Sequence, residues 1–247
     1  IPWAGELSTG NLVRFITHDI LPHPLRVAET FDAATFAALG NWLNMMWSEQ
    51  ALPGIIATVI LTQVALVGSA ALTLLFFPIV SSKFFGLFGR TVGHVFLVIL
   101  RSTPEYVLAL IFLLLWGPSM LPAAVALALH NGAIMGHLVG RYTEDMTLRP
   151  DSSKGLNLYA YDVLPRLYPQ FLAFLFYRWE VIMRETAILG ILGIATLGFY
   201  IDSAFADLRF DRALFLIVIT AILNITIDTL SRTIRARLRL RTTADVV

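Results

Sequence analysis

Four charges inside one apolar run mark the stretch of this sequence with the most chemistry. From Leu158 to Tyr200 the chain reads LYAYDVLPRLYPQFLAFLFYRWEVIMRETAILGILGIATLGFY, and the run carries Arg178, Glu180, Arg184 and Glu185. A charge in an apolar run is costly in a bilayer and is a functional-site hypothesis by default. At about 100° per residue, Arg178 and Glu185 fall near one helix face, while Glu180 and Arg184 form an i,i+4 pair on another. Pairing of opposite signs limits the cost of insertion. Two readings stay open: structural ion pairs near the interface, or a hydrophilic strip along a translocation path.

Other polar residues fall in apolar surroundings. His130 and His137 are seven apart and share a helix face, and with Asn131 they could line a path. Hydrogen-bonded contacts between helices explain them as well, and better for His137. No metal is expected, because two histidines two turns apart lack the close i,i+4 spacing and a third ligand nearby in sequence. Asn224 and Asp228 read as an i,i+4 packing pair. No catalytic constellation stands out. The phosphate-binding pattern G-x-x-x-x-G-K-[ST] is absent, as are H-E-x-x-H and G-x-S-x-G. The chain therefore holds no cofactor of its own by these patterns, and any driving energy must come from a partner.

These residues need a scaffold, and composition says which. The 247 residues are 57% hydrophobic and 14% charged. Mean hydropathy is +0.74. Soluble domains are about 45–50% apolar and about 25% charged, so the chain reads as an all-α polytopic membrane protein embedded in the lipid bilayer. A net charge of +1 gives no reason to bind nucleic acid. With no cysteine, disulfides and Cys-ligated metals are excluded.

Five apolar segments are long enough to span: Leu52–Val80, His94–Trp116, Met120–Val139, Tyr168–Tyr200 and Ala213–Leu230. The second is interrupted by Arg101-Ser-Thr-Pro-Glu105. In the third, Gly132, Gly136 and Gly140 recur every four residues, a flat strip for close helix packing. Residues 1–50 are mixed. Phe31–Met46 has helical spacing, and with Trp42 and Trp47 it reads as an interfacial helix or a packed loop-helix. There is no basic stretch before a short apolar run of the signal-peptide kind. The chain opens on Ile1 rather than Met, which leaves room for a further membrane helix upstream. Lys and Arg concentrate in 81–93, 141–166 and the tail, so these segments are expected in the cytoplasm, with 1–50 and 201–212 outside. The organisation expected is an extracytoplasmic segment 1–50, a membrane domain 51–232 with a cytoplasmic loop 141–166, and a basic cytoplasmic tail 233–247.

Several motifs narrow this further. Arg101-Ser-Thr-Pro-Glu105, Ala126-Leu-Ala-Leu-His130-Asn-Gly132, Val163-Leu-Pro-Arg-Leu-Tyr-Pro-Gln-Phe171, Tyr177-Arg-Trp-Glu180 with Arg184, and Leu189-Gly190 with Gly193 follow one another in order. Over about residues 50–240 the chain resembles the permease subunit of phosphonate/phosphite-type, binding-protein-dependent ABC importers. The resemblance implies a five-helix permease core of the type I importer kind in a bacterial cytoplasmic membrane. It implies uptake of a small phosphorus oxyanion: phosphonate, phosphite, hypophosphite or phosphate. The implied partners are a second permease copy forming a homodimer, two cytoplasmic ATPase subunits that hold ATP and Mg, and an extracytoplasmic solute-binding protein. An ion-gradient-driven secondary transporter or channel is the alternative.

Under the resemblance, a short helix capped by Ser152 or Ser153 would run Lys154, Gly155, Leu156, Asn157, Leu158, Tyr159, Ala160, Tyr161 and plug a groove of the ATPase. The general importer loop motif E-A-A-x3-G-x9-I-x-L-P is not reproduced: Ser152 stands at the glycine and Asp162 at the isoleucine. The pathway would be lined by Arg101, Glu105, His130, Asn131, Arg178, Glu180, Arg184 and Glu185. Arginine suits phosphate-like groups because its donors form a planar fork, and intermixed carboxylates would keep the site weak enough to release its anion.

Overall fold

The computed structural model describes residues 9–238, and no strand occurs among them. The first two helices, α1 (Thr9–Arg14) and α2 (His23–Val27), are short. The body consists of α3 (Ala33–Met46), α4 (Leu52–Phe76), α5 (Leu87–Ser102), α6 (Glu105–Trp116), α7 (Met120–Asp145), α8 (Leu164–Leu189), α9 (Leu197–Ala206) and α10 (Phe210–Arg237). Three continuous helical segments are long and apolar enough to cross a membrane, or up to five if each of two bent pairs counts as one span. That total agrees with the five expected spans, but three details differ.

The second span is two helices. The break falls at Thr103-Pro104, where α5 and α6 meet at 90°. Proline pushes the residue before it out of the helical region, and Thr103 is accordingly extended at φ −78°, ψ 121°. The long fourth span also bends, by 44°, between α8 and α9. Gly193 adopts φ 82° in that corner, a conformation that costs glycine little. Leu197 N–H donates to the buried Thr58 hydroxyl at 3.0 Å, which fixes the start of α9 against α4.

At the N-terminal side, Phe31–Met46 does not form a separate interfacial helix. Instead α3 runs on through a wide turn at Trp47–Ala51 into α4, giving one helical segment from Ala33 to Val80, 48 residues long. At 1.5 Å per residue it measures about 72 Å, more than twice the thickness of a hydrocarbon core. Trp42, Met46 and Ala51 pack with Leu197 and Leu216, so its upper part is braced by α9 and α10. Asp211, at the start of α10, accepts from His23 N–H at 3.2 Å and lies 3.9 Å from Arg26, tying α2 to the body.

Helix α7 is the central post, packed against α4, α5, α6 and α8. The glycine strip is the reason α4 can approach. A Cβ on Gly132 would sit 2.7 Å from Leu72 Cβ, one on Gly136 would sit 2.8 Å from Phe76 Cβ, and one on Gly140 would collide with Val80. Across the same seam, a Cβ on Gly68 would meet Ala128 Cβ at 2.8 Å. Thr58, Thr62, Ser69 and Thr73 line the buried side of α4, each returning its hydroxyl to the carbonyl four residues back. Packing of small residues and satisfied hydroxyls is what holds helices together where lipid removes the hydrophobic drive.

Candidate functional site

Two polar clusters lie on α7, one on either side of the α5–α6 break. The first is a junction of three helices beside the break at Thr103. Glu105 opens α6, where a carboxylate suits the positive end of a helix dipole. His130 and Asn131 come from α7, and Arg178 and Glu185 from α8. Asn131 Nδ2 donates to Glu185 Oε2 at 2.6 Å, and Arg178 Nη1 lies 3.9 Å from Glu185 Oε1. His130 Nδ1 is 3.0 Å from the Thr103 carbonyl. A carbonyl only accepts, so Nδ1 carries the hydrogen and Nε2 faces Glu105 Oε2 at 3.9 Å. The imidazole thus pins the extended residue of the helix break to α7.

Sequence spacing gave the histidines no third ligand. Folding brings Glu105, His130 and Glu185 together, with ligand atoms within 4.8 Å of one another. Those three could offer a divalent cation two carboxylates and an imidazole nitrogen. Arg178 already stands beside Glu185 as its counter-charge, however, and Asn131 occupies one of its oxygens. The arrangement is that of an ion-pair network.

Of the eight expected pathway residues, five form this junction. The other three lie elsewhere. Glu180 and Arg184 pair with each other along α8, and the Arg184 side chain is 58% exposed against 16% for Arg178. Arg101 points into the second cluster. Asn224 and Asp228 do not pair: Arg232 Nε donates to Asp228 at 2.8 Å, and Asn224 bonds the Thr220 carbonyl.

The second cluster is a basic cleft of about 570 Å³ between α5 and α7. Arg90, His94 and Arg101 come from α5, and His137, Arg141 and Glu144 from α7. The His94 and His137 rings are 5.1 Å apart. Arg90 pairs with Glu144 at 3.5 Å, and Glu144 also accepts from the Ser82 N–H and hydroxyl at 2.6 Å each. Lys83 Nζ closes the end of α7 by donating to the carbonyls of Thr143, Glu144 and Met146. Burial pulls the Lys83 ammonium below its usual range, against the opposing pull of Glu144 and Asp145. Sequence reasoning treated Arg90 and Arg141 only as orientation signals and did not single out His94 or Glu144. Their signal was present: positions 90, 94 and 101 fall within a narrow arc of one helix, and so do 137, 141 and 144.

The expected coupling segment has a different register from the one read in the sequence. No serine caps a helix at Lys154: Ser152 N–H bonds back to the Arg149 carbonyl, and Gly155 turns the chain at φ 65°. The helix starts at Leu156 and passes through a wide turn at Leu158–Val163 into α8. Leu158 is buried with Phe77, Val139 and Leu167. Tyr159 stacks on Phe77 at 5.3 Å and donates its hydroxyl to the Leu74 carbonyl at 3.2 Å. These two therefore anchor the segment to its own body. The side chains left outward are Leu156, 84% exposed, and Tyr161, 81% exposed. Asp162, at the position of the motif isoleucine, pairs with Arg166 at 3.4 Å. Of the expected basic tail, Arg235 and Arg237 end α10. Residues 239–247 lie outside the described residues, as do residues 1–8 of the expected N-terminal segment.

No protein-family model matches the chain. Over 151 residues, 58% of this chain, it is 28% identical to "Phosphite transport system permease protein PtxC" of Stutzerimonas stutzeri. Over 152 residues it is 25% identical to "Phosphate-import permease protein PhnE" of Mycolicibacterium smegmatis. This chain resembles the permease subunits of phosphite and phosphate importers. The match spans 54% of the first relative's length and 29% of the second's, so the chain covers about half or less of the curated relatives it matches. Among solved structures, a chain from "Crystal structure of an amino acid ABC transporter with histidines" superposes with a TM-score of 0.63 at 19% identity, covering 84% of this chain and 99% of that one. The fold is therefore shared with a chain of an ABC transporter, and the resemblance read from the motifs is borne out.

Proposed function

We propose that this chain is the permease subunit of an ABC importer that takes up a small phosphorus oxyanion: phosphonate, phosphite, hypophosphite or phosphate. Two copies form the pathway, two cytoplasmic ATPase subunits supply ATP hydrolysis with Mg, and an extracytoplasmic binding protein delivers the anion. The chain crosses the bacterial cytoplasmic membrane several times, with its C-terminus in the cytoplasm. Its similarity to a phosphite permease over more than half its length, on the fold of an ABC transporter chain, carries this reading. The missing nucleotide loop supports a division of labour in which ATP binds elsewhere. Glu105, His130, Asn131, Arg178 and Glu185 form the wall of the pathway at the helix break, with Glu180 and Arg184 further along α8. Within the segment 154–161, Leu156 and Tyr161 reach for the ATPase while Leu158 and Tyr159 hold the segment in place.

The test is uptake of phosphite by the assembly copurified with this chain and reconstituted in vesicles. ATP supplied on the ATPase side, together with the binding protein, is expected to drive uptake, and a non-hydrolysable analogue is expected to stop it. Uptake that ignores ATP and collapses with an ionophore would replace this reading by an ion-gradient-driven carrier.

A further inference from the structure

We propose that the basic cleft between α5 and α7 is an anion station: a site in the cytoplasmic half of the path that holds a free, partly hydrated phosphorus oxyanion before its release. The direction of travel rests on the transport reading above, while the anion chemistry rests on the cleft itself.

Charge is the first observation. Arg90, Arg101 and Arg141 face one carboxylate, Glu144, so two positive charges are unmatched when the histidines are neutral. Arg101 and Arg141 have no hydrogen-bond or ion-pair partner among the described residues. Arg141 is exposed at the mouth of the cleft and Arg101 is half-buried; an unpaired cation between apolar helices is expensive, and the deficit equals the charge of a dianionic oxyanion. Their guanidinium forks also match its geometry.

His137 is the second, independent observation. It is 7% exposed and lines the cleft; its Nδ1 is closed off with no hydrogen-bond partner among the described residues, and its other ring nitrogen, also without one, is the atom left open to the cleft. A buried polar atom left unsatisfied points to a missing partner, and an imidazole N–H in the neutral form donates to an anion. Size adds the strength of the hold. A water occupies about 30 Å³, so 570 Å³ admits an oxyanion with much of its hydration. The anion is held by field and by a few direct contacts, weakly enough to leave.

An anionic lipid headgroup offers the same chemistry from another source, and depth separates the two. Arg90 and Arg101 are eleven residues apart on one helix, roughly 16 Å along its axis, or about half a hydrocarbon core of about 30 Å. A headgroup tethered at the interface meets Arg90 and Arg141 first, whereas Arg101 lies furthest from it along α5. The inner residues belong to a free anion.

Isothermal titration tests this with the full chain in nanodiscs of neutral phosphatidylcholine and inorganic phosphite as the probe. Wild type is expected to bind phosphite weakly. The double variant Arg101→Gln/Arg141→Gln should bind roughly tenfold more weakly or worse, and Arg101→Lys, which keeps the charge and loses the fork, should fall between. Arg209→Gln, which removes an exposed arginine outside the cleft, should bind like wild type. Melting temperature and gel filtration identify any variant that fails to fold, and Arg101→Lys then carries the comparison. No phosphite binding in wild type, or equal binding by a folded Arg101→Gln/Arg141→Gln, overturns the site. Absence of phosphite binding in phosphatidylcholine discs, together with phosphatidylglycerol that copurifies with wild type and is lost from Arg101→Gln/Arg141→Gln, assigns the cleft to headgroups and overturns it as well. The station and the transporter fail separately. Normal ATP-driven uptake by the double variant removes the station alone, whereas phosphite binding without any ATP-driven uptake by wild type removes the transport reading and leaves the anion site.

Discussion

His130 and His137 stand two turns apart on one helix, yet their surroundings have opposite electrostatics. Around His130, two carboxylates face one arginine and the charged groups are paired: Glu185 takes Asn131 and Arg178, and His130 takes the Thr103 carbonyl, while the buried Asn131 Oδ1 has no partner among the described residues. Around His137, three arginines face one carboxylate, and Arg101, Arg141 and His137 Nδ1 have no hydrogen-bond or ion-pair partner among the described residues. A network whose charges are paired resists change and is suited to bracing the 90° break between α5 and α6. An unsatisfied basic cleft is suited to receiving something. The comparison separates two roles that the sequence pattern of charges merges: fixed pairs that make charge tolerable in a membrane, and spare charge that a mobile anion completes.

Breaking the braced network is expected to have the largest effect. Arg178→Gln strands Glu185 with only Asn131, and removing one partner of a buried pair costs about 3–5 kcal/mol. Expression and melting temperature in detergent should fall sharply, and Arg178→Gln/Glu185→Gln should recover much of the loss. A single variant as stable as wild type would mean that the junction is not a brace.

Next comes the post that carries both clusters. Gly136→Leu drives a side chain into Phe76 across the α4–α7 seam, and overpacking costs about 1–3 kcal/mol. Both clusters should suffer together: lower melting temperature, slower uptake and weaker phosphite binding in one variant. Loss of binding with unchanged stability would show that α7 can shift locally without disturbing its upper half.

Smallest is Arg184→Gln. Its pair with Glu180 is largely exposed on the arginine side, and such pairs contribute about 0–1 kcal/mol. Melting temperature should stay close to wild type, and uptake should fall less than in Arg178→Gln. A loss as large as that of Arg178→Gln would place Arg184 against a second subunit, out of solvent and lipid.

Much of this was legible in the residues. Apolar runs longer than a bilayer, the glycine repeat at 132, 136 and 140, and the near-coincident angles of Arg178 and Glu185 foretold spans, a close seam and one ion pair. The Pro104 interruption was visible as well, but not its angle: proline forbids the helix at Thr103 without saying where the next helix goes. The coupling segment was misread in its facing. Leu158 and Tyr159 look as free as Leu156 and Tyr161 in a linear pattern, and only Phe77 and Leu74, some eighty residues away, take them inward.

The sequence by itself determined the solvent in which this protein folds, the number of spans and the local pairs, because those depend on hydropathy and on helical angles within one segment. Which charges become satisfied was decided only by tertiary structure. Glu105, His130 and Glu185 come from three helices, and Arg101 and Arg141 from two. A charge's partner is set by distance through space, which a helix period cannot reach once the chain has turned a corner.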